Sequence, residues 1–85
     1  MKQIEMINLF IECSKKFFPD IDEIEMEWQF RVNECDFDKS GPCCSDGTLL
    51  HILKAATHNK IDENELYGTI EQICLLYCSE IYVNK

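Results

Sequence analysis

Glu25-Met26-Glu27-Trp28-Gln29-Phe30-Arg31-Val32-Asn33 decides how this chain folds, because it satisfies two periodicities at once. Its apolar residues at 26, 28, 30 and 32 alternate with polar ones, as in a half-buried strand. Wound as a helix, the same region divides differently. Ile21, Ile24, Trp28, Val32 and Cys35 then share one face, and Met26 and Phe30 take the opposite one. A strand needs a partner, and the candidates are the short stretch Ile81 to Val83 or another molecule. Helix is therefore the expected state, and the alternative is an α+β chain with a strand at residues 25–33 and three helices.

Working outward, Ile21-Asp22-Glu23-Ile24-Glu25-Met26 is echoed forty residues later by Ile61-Asp62-Glu63-Asn64-Glu65-Leu66, with four of six positions identical. Each copy follows a stretch of helical spacing. The first is Gln3 to Phe18, with Ile4, Ile7, Phe10, Ile11 and Phe18 on one face and Met6, Leu9, Cys13 and Phe17 widening it. The second is Thr48 to His58, with Leu49, Leu50, Ile52, Leu53 and Ala56, and with Ser45 or Asp46 as N-cap. Pro19 stops the first helix, while Asp20 with Glu23 and Asp62 with Glu65 read as capping boxes for the helices that follow. Leu66, Ile70, Ile73, Tyr77 and Ile81 carry the last helix to about Tyr82, and Asp36 to Asp46, with Ser40-Gly41-Pro42 and Asp46-Gly47, is the clear loop. The expected fold is all-α, four helices arranged as two helix-loop-helix units in a single domain spanning 1–85, since 85 residues leave room for only one.

Two such units resemble a pair of EF-hands, as in a calmodulin-like or light-chain-like lobe. With Glu25 and Glu65 at loop position 12, the loops run from Ser14 to Glu25 and from Lys54 to Glu65, and Ile21 and Ile61 fall at position 8, where the family keeps an apolar residue to pair the loops. Glu5, Met6, Leu9, Phe10 and Cys13, and in the second unit Leu49, Leu50 and Leu53, fit the incoming helices. The calcium ligands do not follow. Positions 1, 3, 5 and 6 hold Ser14, Lys16, Phe18 and Pro19 in one loop and Lys54, Ala56, His58 and Asn59 in the other, where a binding loop needs oxygen ligands and a glycine. The resemblance thus implies a calcium-independent lobe. Asp36-Phe37-Asp38-Lys39-Ser40-Gly41 matches the first half of a calcium loop, but Gly47 stands at its twelfth position and Pro42 breaks the continuation, so an Asx-rich turn is the simpler reading.

No catalytic constellation can be assembled. His51 and His58 have no Ser or Cys three or four residues on, there is no Gly-rich phosphate loop, and the chain is expected not to be an enzyme and to need no cofactor. Zinc on Cys43, Cys44, Cys74 and Cys78 is left open by the sequence, although adjacent cysteines splay apart and there are no paired C-x2-C knuckles; buried, reduced cysteines are the expectation and no metal is assigned. The first residues do not form a signal-peptide core and no run approaches a membrane span, so a cytoplasmic location is expected, with no membrane partner.

Sixteen acids against eight bases give a net charge of -8, which repels nucleic acid as a direct partner. Asp20, Asp22, Glu23, Glu25, Glu27, Glu34, Asp36 and Asp38 oppose the single base Arg31 between residues 20 and 38. Two roles follow. In one, a binding module grips an amphipathic basic helix of a larger protein, or a second copy of the chain, through Trp28, Val32, Leu76 and Tyr77, with Asp20, Asp22, Glu23, Glu25 and Glu27 as an acidic surface. In the other, those acids imitate phosphates and the protein is a small phage-type inhibitor of a nucleic-acid enzyme; as a strand, alternate carboxylates would stand about 6.6 Å apart.

Overall fold

Residues 25–33 are helical. A computed structural model, which describes residues 1–83, places four helices, α1 (Gln3–Phe17), α2 (Glu23–Val32), α3 (Asp46–Ala56) and α4 (Glu63–Val83), and two very short strands, β1 (Phe37–Asp38) and β2 (Gly41–Pro42). The helix wins over the alternating pattern because its start is well provided for. Asp22, extended at φ -81° and ψ 102°, accepts the Glu25 N–H on its carboxylate at 3.0 Å, so the cap is Asp22 with Glu25 rather than Asp20 with Glu23. The expected all-α fold therefore needs one correction, and so does its alternative. The molecule is mainly helical with a two-stranded antiparallel ladder, and that ladder lies at Phe37–Pro42 instead of 25–33.

Both α2 and α3 stop in the same manner. Glu34 (φ 51°) and His58 (φ 54°) turn left-handed just beyond the two helices. In each case the N–H of the turning residue and of the next one reach back to the last turn: Glu34 to Arg31 and Cys35 to Phe30, then His58 to Ala55 and Asn59 to Lys54. This is the Schellman arrangement, built here without glycine.

α1 packs on α2 and α4, and α3 packs on α2 and α4, so α2 and α4 stand diagonally across the bundle. Phe10, Met26, Phe30, Ile52, Leu53, Ala56, Leu66, Ile73 and Tyr77 are fully enclosed between them. An aromatic cluster ties the hairpin to this core: Phe37 meets Phe30 edge-on at 4.9 Å and Phe10 at 5.7 Å. Gln3 clamps the same residue from α1, its amide donating to the Phe37 carbonyl and accepting the Phe37 N–H, both at 2.7 Å. Asp38 Oδ1 accepts the Ser40 N–H at 2.8 Å and hydroxyl at 2.6 Å, so the calcium-like Asp36–Gly41 stretch is the Asx turn of a hairpin.

Candidate functional site: the outer face of α2

The helical reading of α2 sorts its apolar residues into two opposite stripes, and only one of them meets the core. Met26 and Phe30 are fully buried, whereas Ile24, Trp28 and Val32 are 84%, 60% and 55% exposed. Those three stand at i, i+4 and i+8, a continuous ridge about two turns long. Ile21 and Cys35, which extend that face on paper, are buried. The reason is local: Ile21 precedes the N-cap and Cys35 follows the Schellman turn, so neither obeys the helical phase.

Carboxylates flank the ridge. Glu23 pairs with Lys15 of α1 at 3.3 Å, Glu27 with Arg31 at 3.7 Å, and Glu25 accepts from the Gln29 amide at 2.9 Å. Such exposed pairs contribute little and exchange readily for another cation. Beside the ridge a shallow groove of about 410 Å³ runs between α1 and α2, lined by Asn8, Ile11, Glu12, Glu23, Ile24 and Glu27. Its titratable lining is entirely acidic.

The expected partner-binding set is not brought together. Trp28 and Val32 lie on α2, while Leu76 lies half-buried on α4 against the core, across the diagonal of the bundle. Tyr77 must be withdrawn from that set. It is fully buried, its ring stacks edge-on with Phe10 at 5.6 Å, and its hydroxyl donates to the Asp38 carbonyl at 2.8 Å. Burial pushes its phenol up to about 12. Its spacing from Ile73 and Ile81 already marked it as core. Ile24 is the residue that sequence reasoning left out of the surface, although it stands four positions before Trp28.

Of the expected acidic surface, Asp20 and Glu23 are exposed and Asp22, Glu25 and Glu27 half-exposed. Asp22 has structural duties. Besides capping α2 it meets His58 Nε2 at 3.1 Å, and the Glu25 N–H foremost holds its carboxyl below the ordinary range, with His58 assisting. Its N–H donates to the Ala56 carbonyl at 2.8 Å, joining the start of α2 to the end of α3, and Ile21 and Ile61 line one cavity beside this bond. Because Glu25 and Glu27 are helical, the extended ladder of carboxylates considered for phosphate imitation is not formed.

Among the described residues no group of three or more His, Cys, Asp or Glu side chains is gathered as metal ligands, and no helix is long and apolar enough to cross a membrane. His51 is exposed on α3. Neither protein-family models, nor curated proteins, nor solved structures give a match to this chain.

Proposed function

We propose that this chain is a calcium-independent, non-enzymatic binding module that takes an amphipathic, basic helix of a larger protein on the outer face of α2. One observation carries the reading: three large apolar side chains, Ile24, Trp28 and Val32, stand exposed in register on a short helix whose flanks are carboxylates. A helix with apolar residues at i, i+4 and i+7 would cover the ridge, and lysines beside them would take over Glu23 and Glu27 and meet Glu12 in the groove. Trp28 is the anchor, since a flat aromatic side chain covers much area at little cost in conformational freedom.

The pairing of α1 with α4 and α2 with α3, with the start of α2 tied to the end of α3 through Asp22 and Ala56, is compatible with an EF-hand-like lobe. The space between the helices, however, is filled by Phe10, Met26, Phe30 and Tyr77, so the docking face of this reading is external rather than an opened interior.

Trp28 is the sole tryptophan and reports on its own face. Titration with a synthetic leucine–lysine amphipathic helix should shift its fluorescence to the blue saturably, equally in millimolar calcium and in chelator, while a leucine–glutamate helix should leave it unchanged. No saturable shift with the basic peptide, or a shift that requires calcium, would remove the proposal.

A further inference from the structure

Cys35 and Cys44 flank the hairpin that carries the chain from α2 to α3. The ladder pairs Phe37 with Pro42 and Asp38 with Gly41, and the Cys43 N–H donates to the Asp36 carbonyl at 2.7 Å, which extends the same register by one step. The next step sets Cys35 opposite Cys44. Hydrogen-bonded and non-bonded pairs alternate along an antiparallel ladder. Asp36–Cys43 is bonded and Phe37–Pro42, whose proline has no N–H to give, is not, so Cys35–Cys44 falls at a non-bonded position. The Cys35 N–H agrees, because it turns away from the ladder to the Phe30 carbonyl at 3.0 Å.

At non-bonded positions Cα atoms approach to about 4.5 Å, within the roughly 4.4–6.8 Å span of a disulfide. The Cys35 S–H is directed at the Asn33 carbonyl at 4.0 Å, so a small rotation of its side chain is part of closing the bond.

We propose that Cys35 and Cys44 are a site of reversible intramolecular disulfide formation, with a low-molecular-weight disulfide as oxidant. Cys44, the more exposed of the two, loses its proton and attacks one sulfur of the oxidant, expelling a thiolate. Cys35, deprotonated in turn, attacks the Cys44 sulfur of the mixed disulfide and expels the second. One S–S bond breaks and one forms; the chain gives up two protons and two electrons, and the oxidant leaves as two thiols. Burial first, and then the contact with Cys35, push the Cys44 thiol up to about 12, so the reaction is slow at neutral pH and accelerates as the pH rises. The product staples a hairpin that is otherwise held by the Gln3 clamp and the Tyr77 hydroxyl.

Two neighbours compete. Cys43 is exposed and donates its S–H to Asp38 Oδ2 at 3.4 Å, and Cys74 Sγ lies 3.8 Å from where a Cβ on Gly41 would stand.

The test is peptide mapping of the full chain, reduced, incubated with excess oxidised glutathione at mildly alkaline pH, alkylated and cut with trypsin. Cleavage after Arg31, Lys39 and Lys54 places Cys35 on one peptide and Cys43 with Cys44 on the next. The expected product is those two peptides joined, in the parent and in Cys43→Ser but not in Cys44→Ser, with four alkylated thiols left in the parent and a melting temperature raised on the order of 10 °C. Fragment ions that separate Cys43 from Cys44 in the parent give the same answer if Cys44→Ser fails to fold by circular dichroism. A bridge through Cys43, Cys74 or Cys78 instead, or stable glutathione adducts without an internal bond, overturns the proposal.

Discussion

The two copies of Ile-Asp-Glu-x-Glu begin helices alike and then part company. Met26 and Leu66 each donate a first helical N–H to the carbonyl of the preceding aspartate, Asp22 or Asp62, at 3.0 Å, and each side chain is fully buried. The copies differ at the fourth place, where Ile24 is an exposed apolar residue and Asn64 an exposed polar one. They differ again in length, ten residues for α2 against twenty-one for α4. Asn64 demonstrates that an apolar side chain is not needed at this place to start the helix. The outward Ile24, in line with Trp28 and Val32, is therefore surplus to folding. This surplus is what the binding proposal accounts for.

The comparison is broken most severely at the buried sixth place. Met26→Ala and Leu66→Ala should each cost about 2–5 kcal/mol in urea unfolding, since each empties a closed site. A cost for one several times the other would mean that the echo is one of sequence only. Tyr77→Phe removes the hydroxyl that ties α4 to the hairpin and should cost about 1 kcal/mol at neutral pH. The sign of its pH dependence follows from the raised phenol. Protonated Tyr77 contributes stability below pH 10 that is lost as pH rises toward about 12, so alkaline melts of Tyr77→Phe should fall less steeply than those of the parent.

Asp22→Ala should lower the melting temperature by a few degrees through loss of the cap. Because the Asp22 carboxyl is held below its ordinary range, its contribution is present above the carboxylate range and disappears as pH falls; the parent and variant curves should converge in acid. Smallest of all, Ile24→Asn, which makes the first copy resemble the second, should leave unfolding within about 0.5 kcal/mol of the parent.

Much of this architecture was legible. The echo located two helix starts in the same phase, and Pro19 and the Ser45 cap bounded helices; spacing alone put Met26 with Phe30 and Trp28 with Val32 on opposite faces, and the pattern after Glu25 that the EF-hand resemblance implies pointed to Met26 and Phe30 as the inward pair. The hairpin was not legible, because strands of two residues are too short for any period; pairing there is fixed by Gln3 and Tyr77, both more than thirty residues away in sequence. The misplacement of Tyr77 had a different cause: it was counted both on the core stripe of the last helix and among the surplus apolar residues, and the acceptor that satisfies its hydroxyl in the core lies on the hairpin that the sequence did not reveal. At the candidate site, Trp28 and Val32 were read as outward from the sequence, but Leu76 was joined to them although α2 and α4 do not share a face.

The central claim is that α2 uses one face for folding and the other for a partner, and Trp28→Ala tests it most directly when its urea unfolding and its affinity for the basic amphipathic helix are measured on the same sample. The account predicts unfolding within about 1 kcal/mol of the parent and affinity for the peptide, followed by calorimetry, weakened by about 2 kcal/mol or more, roughly thirtyfold. A variant that binds as tightly as the parent, or that unfolds as easily as Phe30→Ala, would contradict it.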